Sequence, residues 1–371
     1  LINLIFRQEL QESSIRNTLL TTVLDLYNIP YNIVGYIDDI NGDAVITDSF
    51  VEEIPGRDSN FCQKIIDKCA SRSIPILFYY PSECESTLSS SYYPTRDYVA
   101  GRIPIGLVKQ GTRTVDGFHE YCLDKYFIYR ATNQFNRARL AYTFDKINTE
   151  SKLYKFLFLN GTLRPNRVRI FDDLKNNGLL ESSIHSFVDY RIPEEHRPVS
   201  VKPVLDWPWP ALDKDFRFET FYPPHFSTTE FTLAVETTDA EVFVTEKIYK
   251  SLLVGHPFIA IAGAGVLEFL NRSGFKTFDP VIDESYDLVA NSYERYDCVL
   301  AEVTRLVRSD IKIIDQTYNI RLHNRLNMYK LSEEVYWDLR NIIVTFFPQY
   351  ADCDYINLPN LNLDMYKQYQ L

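Results

Sequence analysis

Apolar and polar positions along the chain switch repeatedly between two periods. Short apolar runs at Leu1–Phe6, Asn32–Tyr36, Ala44–Ile46 and Ile74–Tyr80 predict strands. Between them, Ser14–Tyr27 repeats Leu and Val at helical spacing, and Asn60–Ser71 does the same with Phe61, Ile65, Ile66 and Cys69. Both helical patterns carry Ser or Asn near the start, as an N-cap requires. Residues 130–152 are polar and helix-compatible, which suits a connection between domains. A second alternation follows: a strand at Tyr154–Leu159, a helix at Pro165–Lys175, a strand at Phe231–Glu236 and a helix at Thr245–Val254. Thr245 is placed as N-cap of that last helix and Gly255 lies just past its end. A strand at Pro257–Ala262, the turn Gly263-Ala264-Gly265, a helix at Val266–Arg272 and a strand at Phe275–Phe278 come next. Asp287–Arg308 and Glu333–Phe347 are further helical patterns. Pro193–Pro224 holds seven prolines in 32 positions and reads as a loop region. Strands alternating with helices define the α/β class with mostly parallel sheets. The expected organisation is two Rossmann-like domains, over 1–145 and 146–325, with a helical tail over 326–371 packed on them.

The length of 371 residues agrees with two domains. With 45% hydrophobic and 24% charged residues, gross disorder is excluded. Lysine plus arginine is 39 and aspartate plus glutamate is 50, so the net charge is 39 − 50 = −11, which disfavours a nucleic-acid backbone as partner. No apolar run approaches the roughly 18 residues of a membrane span. The segment LINLIFRQELQESS has neither the apolar length nor the flanks of a signal peptide, and a start without Met reads as trimmed. The six cysteines form no C-x-x-C pair, and the H-x-x-C spacing of His119 and Cys122 is a single pair. Reduced thiols in a cytoplasmic protein are the expectation.

Two segments carry candidate chemistry. In Phe243-Val244-Thr245-Glu246-Lys247, a helix N-terminus offers unpaired N–H groups to an anion, and Lys247 adds a full charge. Glu246 can accept hydrogen bonds from vicinal sugar hydroxyls, or it can simply complement the helix dipole. In Asn160-Gly161-Thr162-Leu163-Arg164-Pro165-Asn166-Arg167-Val168-Arg169, three arginines lie at a helix start, where the dipole opposes them unless an anion is bound. The alternative is pairing with Asp172, Asp173 or other surface acids. Asp213 and Asp215 match a D-x-D metal triplet, but they sit in the Pro-rich loop. Trp207 and Trp209, in the same loop, could stack on a sugar or pack against proline.

Phe243–Lys247, the helix after it and Gly255-His256-Pro257-Phe258-Ile259 resemble the nucleotide-sugar signature of the α1,3-fucosyltransferase family. Phe231–Thr237 resembles that family's strand ending in Glu-Asn, with Glu236 in place and Thr237 standing for the Asn. Phe158–Arg167 resembles its Asn-containing turn followed by an arginine. The resemblance covers roughly Tyr154–Asp279. It implies a GT-B fold, two Rossmann-like domains facing across a cleft, and inverting glycosyl transfer with no essential metal or cofactor. The implied co-substrate is a nucleotide-diphospho-sugar, with a GDP-sugar favoured and the donor sugar open. The donor-binding set is then Asn160, Arg164, Arg167, Glu236, Phe243, Thr245, Glu246 and Lys247. Arg167 and Lys247 would stabilise the departing diphosphate, supplying the charge that Mg²⁺ supplies elsewhere. An inverting reaction also needs a general base, for which Glu83, after the strand at Ile74–Tyr80, comes first and Glu85, Asp48 and His119 follow. A glycan hydroxyl is the expected acceptor. Two alternatives stay open: transfer to a hydroxylated DNA base of a viral or phage genome, which the charge disfavours, and a non-catalytic sugar-nucleotide-binding module.

Overall fold

A computed structural model describes residues 1–5, 19–34, 36–47, 60–84, 94–110, 114, 116–134, 137–160, 164–187 and 223–353. Asp48, Glu85, Trp207, Trp209, Asp213 and Asp215 lie outside them. The chain divides into two compact units. One is built from Leu1–Gln110, Thr114–Asp124 and the segment from Glu334 on; the other contains Lys125–Glu333. The 29-residue helix Tyr318–Phe346 is shared between them, dividing at Glu333.

The first unit holds six parallel strands: β1 Ile2–Ile5, β2 Tyr31–Ile33, β3 Ala44–Thr47, β4 Ile76–Cys84, β5 Ile105–Gln110 and β6 His119–Cys122. Their order is β2-β1-β3-β4-β5-β6. β1, β3 and β5 are buried at every position, as a parallel sheet covered on both faces requires. Val45, Ile76, Phe78, Ile105 and Leu107 pack against Cys62, Ile65, Ile66 and Cys69 of the helix Asn60–Ser71. The end of the long helix also belongs to this unit. Phe346 meets the rings of His119 and Tyr121, and Gly106 admits it, since a Cβ there would lie 2.9 Å from the Phe346 ring.

The second unit holds four parallel strands: β7 Tyr154–Asn160, β8 Ser183–Phe187, β9 Thr229–Val235 and β10 Phe258–Ile261. Their order is β10-β9-β7-β8. The helices Pro165–Asn176, Glu246–Val254 and Val266–Arg272 follow β7, β9 and β10. The α/β class and the two parallel sheets are as the alternation implied.

Two elements differ from expectation. The strand read as ending at Tyr80 continues to Cys84, because its pairing with β5 shifts register between Tyr79 and Cys84. That irregularity accommodates Pro81, which a regular interior strand would not. Glu83 therefore lies within β4 rather than after it, and its side chain is outside the described residues. Phe275–Phe278 is no strand. Its backbone groups are taken by side chains: Lys276 N–H donates to Asn324 Oδ1 at 2.8 Å, Asn324 Nδ2 donates to Lys276 O at 2.7 Å, and Phe278 N–H donates to Glu284 Oε1 at 2.7 Å. The adjacent β10 edge is also capped, Ala260 N–H donating to Tyr286 Oη at 3.2 Å.

Candidate functional site

The strand order of the second unit locates a crevice. β7 connects to β8 on one side, and β8 connects back to β9 on the other side of β7. In open α/β sheets ligands bind outside the carboxyl ends of the strands where the order reverses in this way. Here that point lies between β7, which ends at Asn160, and β9, which ends just before Glu236. The helices after these two strands begin at Pro165 and Glu246.

Local sequence explains both helix starts. Pro165 takes the first helical position, where its missing N–H loses nothing, and it keeps Arg164 extended at φ −139°, ψ 150°. Thr245 is the N-cap of Glu246–Val254, as read from the sequence, and Gly255 ends that helix in the left-handed region at φ 68°.

Glu236 organises the second start. Its carboxylate is fully buried and accepts from Thr245 N–H at 2.8 Å and from the Thr245 hydroxyl at 2.6 Å. The same hydroxyl oxygen accepts from Lys247 Nζ at 2.8 Å and from Lys247 N–H at 3.4 Å, which fills its one donor and two acceptor positions. Lys247 Nζ also reaches Glu236 Oε2 and the Thr237 hydroxyl at 3.4 Å, and Glu246 Oε1 at 3.3 Å. Its ammonium is thus held over the helix start while its side chain keeps 24% exposure. Burial pushes the Glu246 carboxyl up, but Lys247, Lys250 and a backbone N–H outweigh it and hold that group at about 2.

Asn166 and Arg167 tie the other helix start to the end of β9. Asn166 Nδ2 donates to Glu236 O at 3.4 Å, Asn166 Oδ1 accepts from Arg167 N–H at 2.9 Å, and Arg167 Nη2 donates to Val235 O at 3.5 Å. Arg167 is only 4% exposed. Burial lowers its pKa, Arg164 adds to that, and Glu236 and Glu246 oppose it. Asn160 is 5% exposed. The β7–β9 register, Leu157 opposite Thr232, carried three residues on, sets Asn160 beside Val235.

The structure therefore gathers Asn160, Arg167, Glu236, Thr245, Glu246 and Lys247 at one end of one sheet. Arg164 is exposed at the helix cap. Phe243 is 3% exposed and meets Phe127 edge to face at 6.1 Å, so its ring is part of the core. Arg169 is a surface pairing, as the alternative reading had it: it contacts Asp297 at 2.8 Å and Asp173 at 3.7 Å and lies over the rings of Tyr293 and Tyr296. Sequence reasoning assigned no role to Asn166 or to the Thr237 hydroxyl. Asn next to a helix-start arginine was the available signal for the first. Among the described residues no group of three His, Cys, Asp or Glu is placed to hold a metal ion, and no helix is long and apolar enough to cross a membrane.

No protein-family model matches the chain, and no curated protein matches it in sequence. Solved structures do resemble it. A DNA-modifying β-glucosyltransferase, solved with and without uridine diphosphoglucose, shares 11% identity at a TM-score of 0.48 over 94% of this chain and 99% of its own. An α1,3-fucosyltransferase with GDP-fucose shares 12% identity at 0.47 over 96% and 91%, and an α1,3-fucosyltransferase structure shares 13% at 0.49 over 96% and 92%. Likeness at this level gives no residue of this chain a role.

Proposed function

We propose that the chain is an inverting, metal-independent glycosyltransferase of the GT-B type. It would move a sugar from a nucleoside-diphosphate sugar, a GDP-sugar by preference, to a hydroxyl of a glycan. The observation that carries this reading is the pair of cations at the switch point: Arg167, buried beside the end of β9, and Lys247, fixed over a capped helix start.

A diphosphate at the crevice meets backbone N–H groups of the helix after β9 and positive charge from both sides. Negative charge grows on the diphosphate as the glycosidic bond breaks, so cations fixed beforehand stabilise the transition state more than the ground state. Glu236 acts as a positioning residue, holding Thr245 and Lys247 in place. Glu246, ionised at any working pH, is suited to accept from ribose hydroxyls. Glu83 remains the first choice for the base that takes the acceptor proton. A DNA acceptor is disfavoured by the −11 charge.

The test is a thermal-shift titration with GDP, UDP and their common sugar conjugates. The preferred donor should raise the melting temperature in proportion to occupancy, by about 2.7 kcal/mol of stability at a hundredfold excess over Kd. If no nucleoside diphosphate or nucleotide sugar shifts melting at millimolar concentration, the reading fails.

A further inference from the structure

At the carboxyl end of β7 the fold buries an amide and leaves it unused. Asn160 is 5% exposed, and among the described residues neither its Nδ2 nor its Oδ1 has a hydrogen-bond partner. Each such atom destabilises the folded chain, because water is given up and nothing replaces it. Leu would fill nearly the same volume without that cost. Phe156 and Phe158, on the same face of the strand, are fully buried apolar side chains, so the position itself does not require polarity.

The two atoms need different things. Nδ2 donates and must meet an acceptor; Oδ1 accepts and must meet a donor. A diphosphate at neutral pH offers acceptors alone. It could serve Nδ2, but it would leave Oδ1 unpaired with an anion close by. A sugar hydroxyl offers both, one O–H and two lone pairs, and a vicinal pair of hydroxyls serves both amide atoms at once. We infer that Asn160 reads a hydroxyl of the nucleotide sugar at the crevice between β7 and β9, and that it is a specificity-determining residue separating sugar-bearing ligands from bare phosphates. The inference rests on the nucleotide-sugar reading above. The hydroxyl belongs to the ribose or to the transferred sugar, and these two sources are separable by ligand.

Wild type, Asn160→Leu and Asn160→Ala are titrated calorimetrically with pyrophosphate, GDP, UDP, GDP-fucose and UDP-glucose. Both variants should bind pyrophosphate as wild type does. Both should lose about tenfold or more in affinity for the hydroxyl-bearing ligand, the scale of a buried hydrogen bond removed. If the ribose is read, that loss appears already with the nucleoside diphosphate; if the transferred sugar is read, it appears with the conjugate alone. Ligand-free Asn160→Leu should melt above wild type, since two unpaired buried atoms have gone. Equal losses for pyrophosphate and nucleotide sugar overturn the inference, as does no loss at all. So does a Leu variant that melts below wild type or fails to fold, with Asn160→Ala keeping wild-type ligand affinities. Wild type binding no nucleotide would instead sink the glycosyltransferase reading itself.

Discussion

Replacing Lys247 by Met should reduce both stability and turnover, and a second substitution should return only the first. Lys247 Nζ sits 3.4 Å from a fully buried Glu236 carboxylate and 2.8 Å from the Thr245 hydroxyl. Removing one member of a fully buried pair costs roughly 3–5 kcal/mol. Lys247 keeps 24% exposure, and Glu236 retains two hydrogen bonds from Thr245, so about 2–3 kcal/mol is expected for Lys247→Met. In Glu236→Gln/Lys247→Met the stranded charge is gone, and at least about 1.5 kcal/mol of that loss should come back as coupling. Turnover behaves differently if the ammonium acts on the departing diphosphate. Losing one preorganised charge lowers kcat by about 10²–10³, and the double variant should stay at that low level. Urea unfolding gives the stability arm, and single-turnover transfer from the donor found by thermal shift gives the other. A double variant that regains wild-type turnover would show that Lys247 only neutralises Glu236. A Lys247→Met protein with the wild-type urea midpoint would refute the coupling drawn here.

Transfer should persist in excess EDTA, because Arg167, Lys247 and a helix N-terminus supply the positive charge; a loss that Mn²⁺ or Mg²⁺ restores would bring in Asp213 and Asp215. Glu83→Gln should bind donor normally and fail to transfer, since an amide keeps the shape but takes no proton; unchanged turnover passes the role of base to Glu85, Asp48 or His119. Burial raises the Glu284 carboxyl to about 7, against the help of Thr277 and the Phe278 N–H. Its folded pKa exceeds its unfolded value near 4.5, so the associated stability is full below about pH 4.5 and is lost as pH rises through about 7. Glu284→Gln, which keeps an acceptor for Phe278 N–H, should melt like wild type at pH 5 and above it at pH 8, by about 1–3 kcal/mol; the same difference at both pH values would refute the shift.

What the sequence showed was local chemistry, and what it hid was contact through space. The helix Glu246–Val254 was legible at both ends because Thr245 and Gly255 are signals read within a turn of the element they bound. β6 and β8 were not legible. HEYC and SIHSF carry His, Glu and Ser, and strands at the edges of their sheets need no continuous apolar run. Phe275–Phe278 erred the other way. Its apolar run fits a strand, but Asn324, some fifty residues on, takes the backbone groups a neighbour would have used. At the site, Arg167 and Lys247 were visible as helix-start cations. The buried tie from Glu236 to Thr245 was not, because it needs the chain after β9 to fold back over nine residues.

The glycines make the same point about where a ligand belongs. Gly263-Ala264-Gly265 follows β10 and opens the helix Val266–Arg272, an arrangement that could be taken for a phosphate loop. Both glycines have structural reasons. A Cβ on Gly263 would fall 2.1 Å from the Glu241 carbonyl oxygen, and Gly265 holds φ 84°. The helix start behind them is already occupied by an anion, since Asp287 Oδ2 accepts from Leu267 N–H at 3.0 Å. A phosphate there would meet a carboxylate. At the switch point between β7 and β9, the buried carboxylate is instead turned onto Thr245 and Lys247, and the cations remain beside the helix start. Strand order and the sign of the capping charge, rather than the density of glycine, therefore select the crevice of Asn160, Arg167 and Lys247.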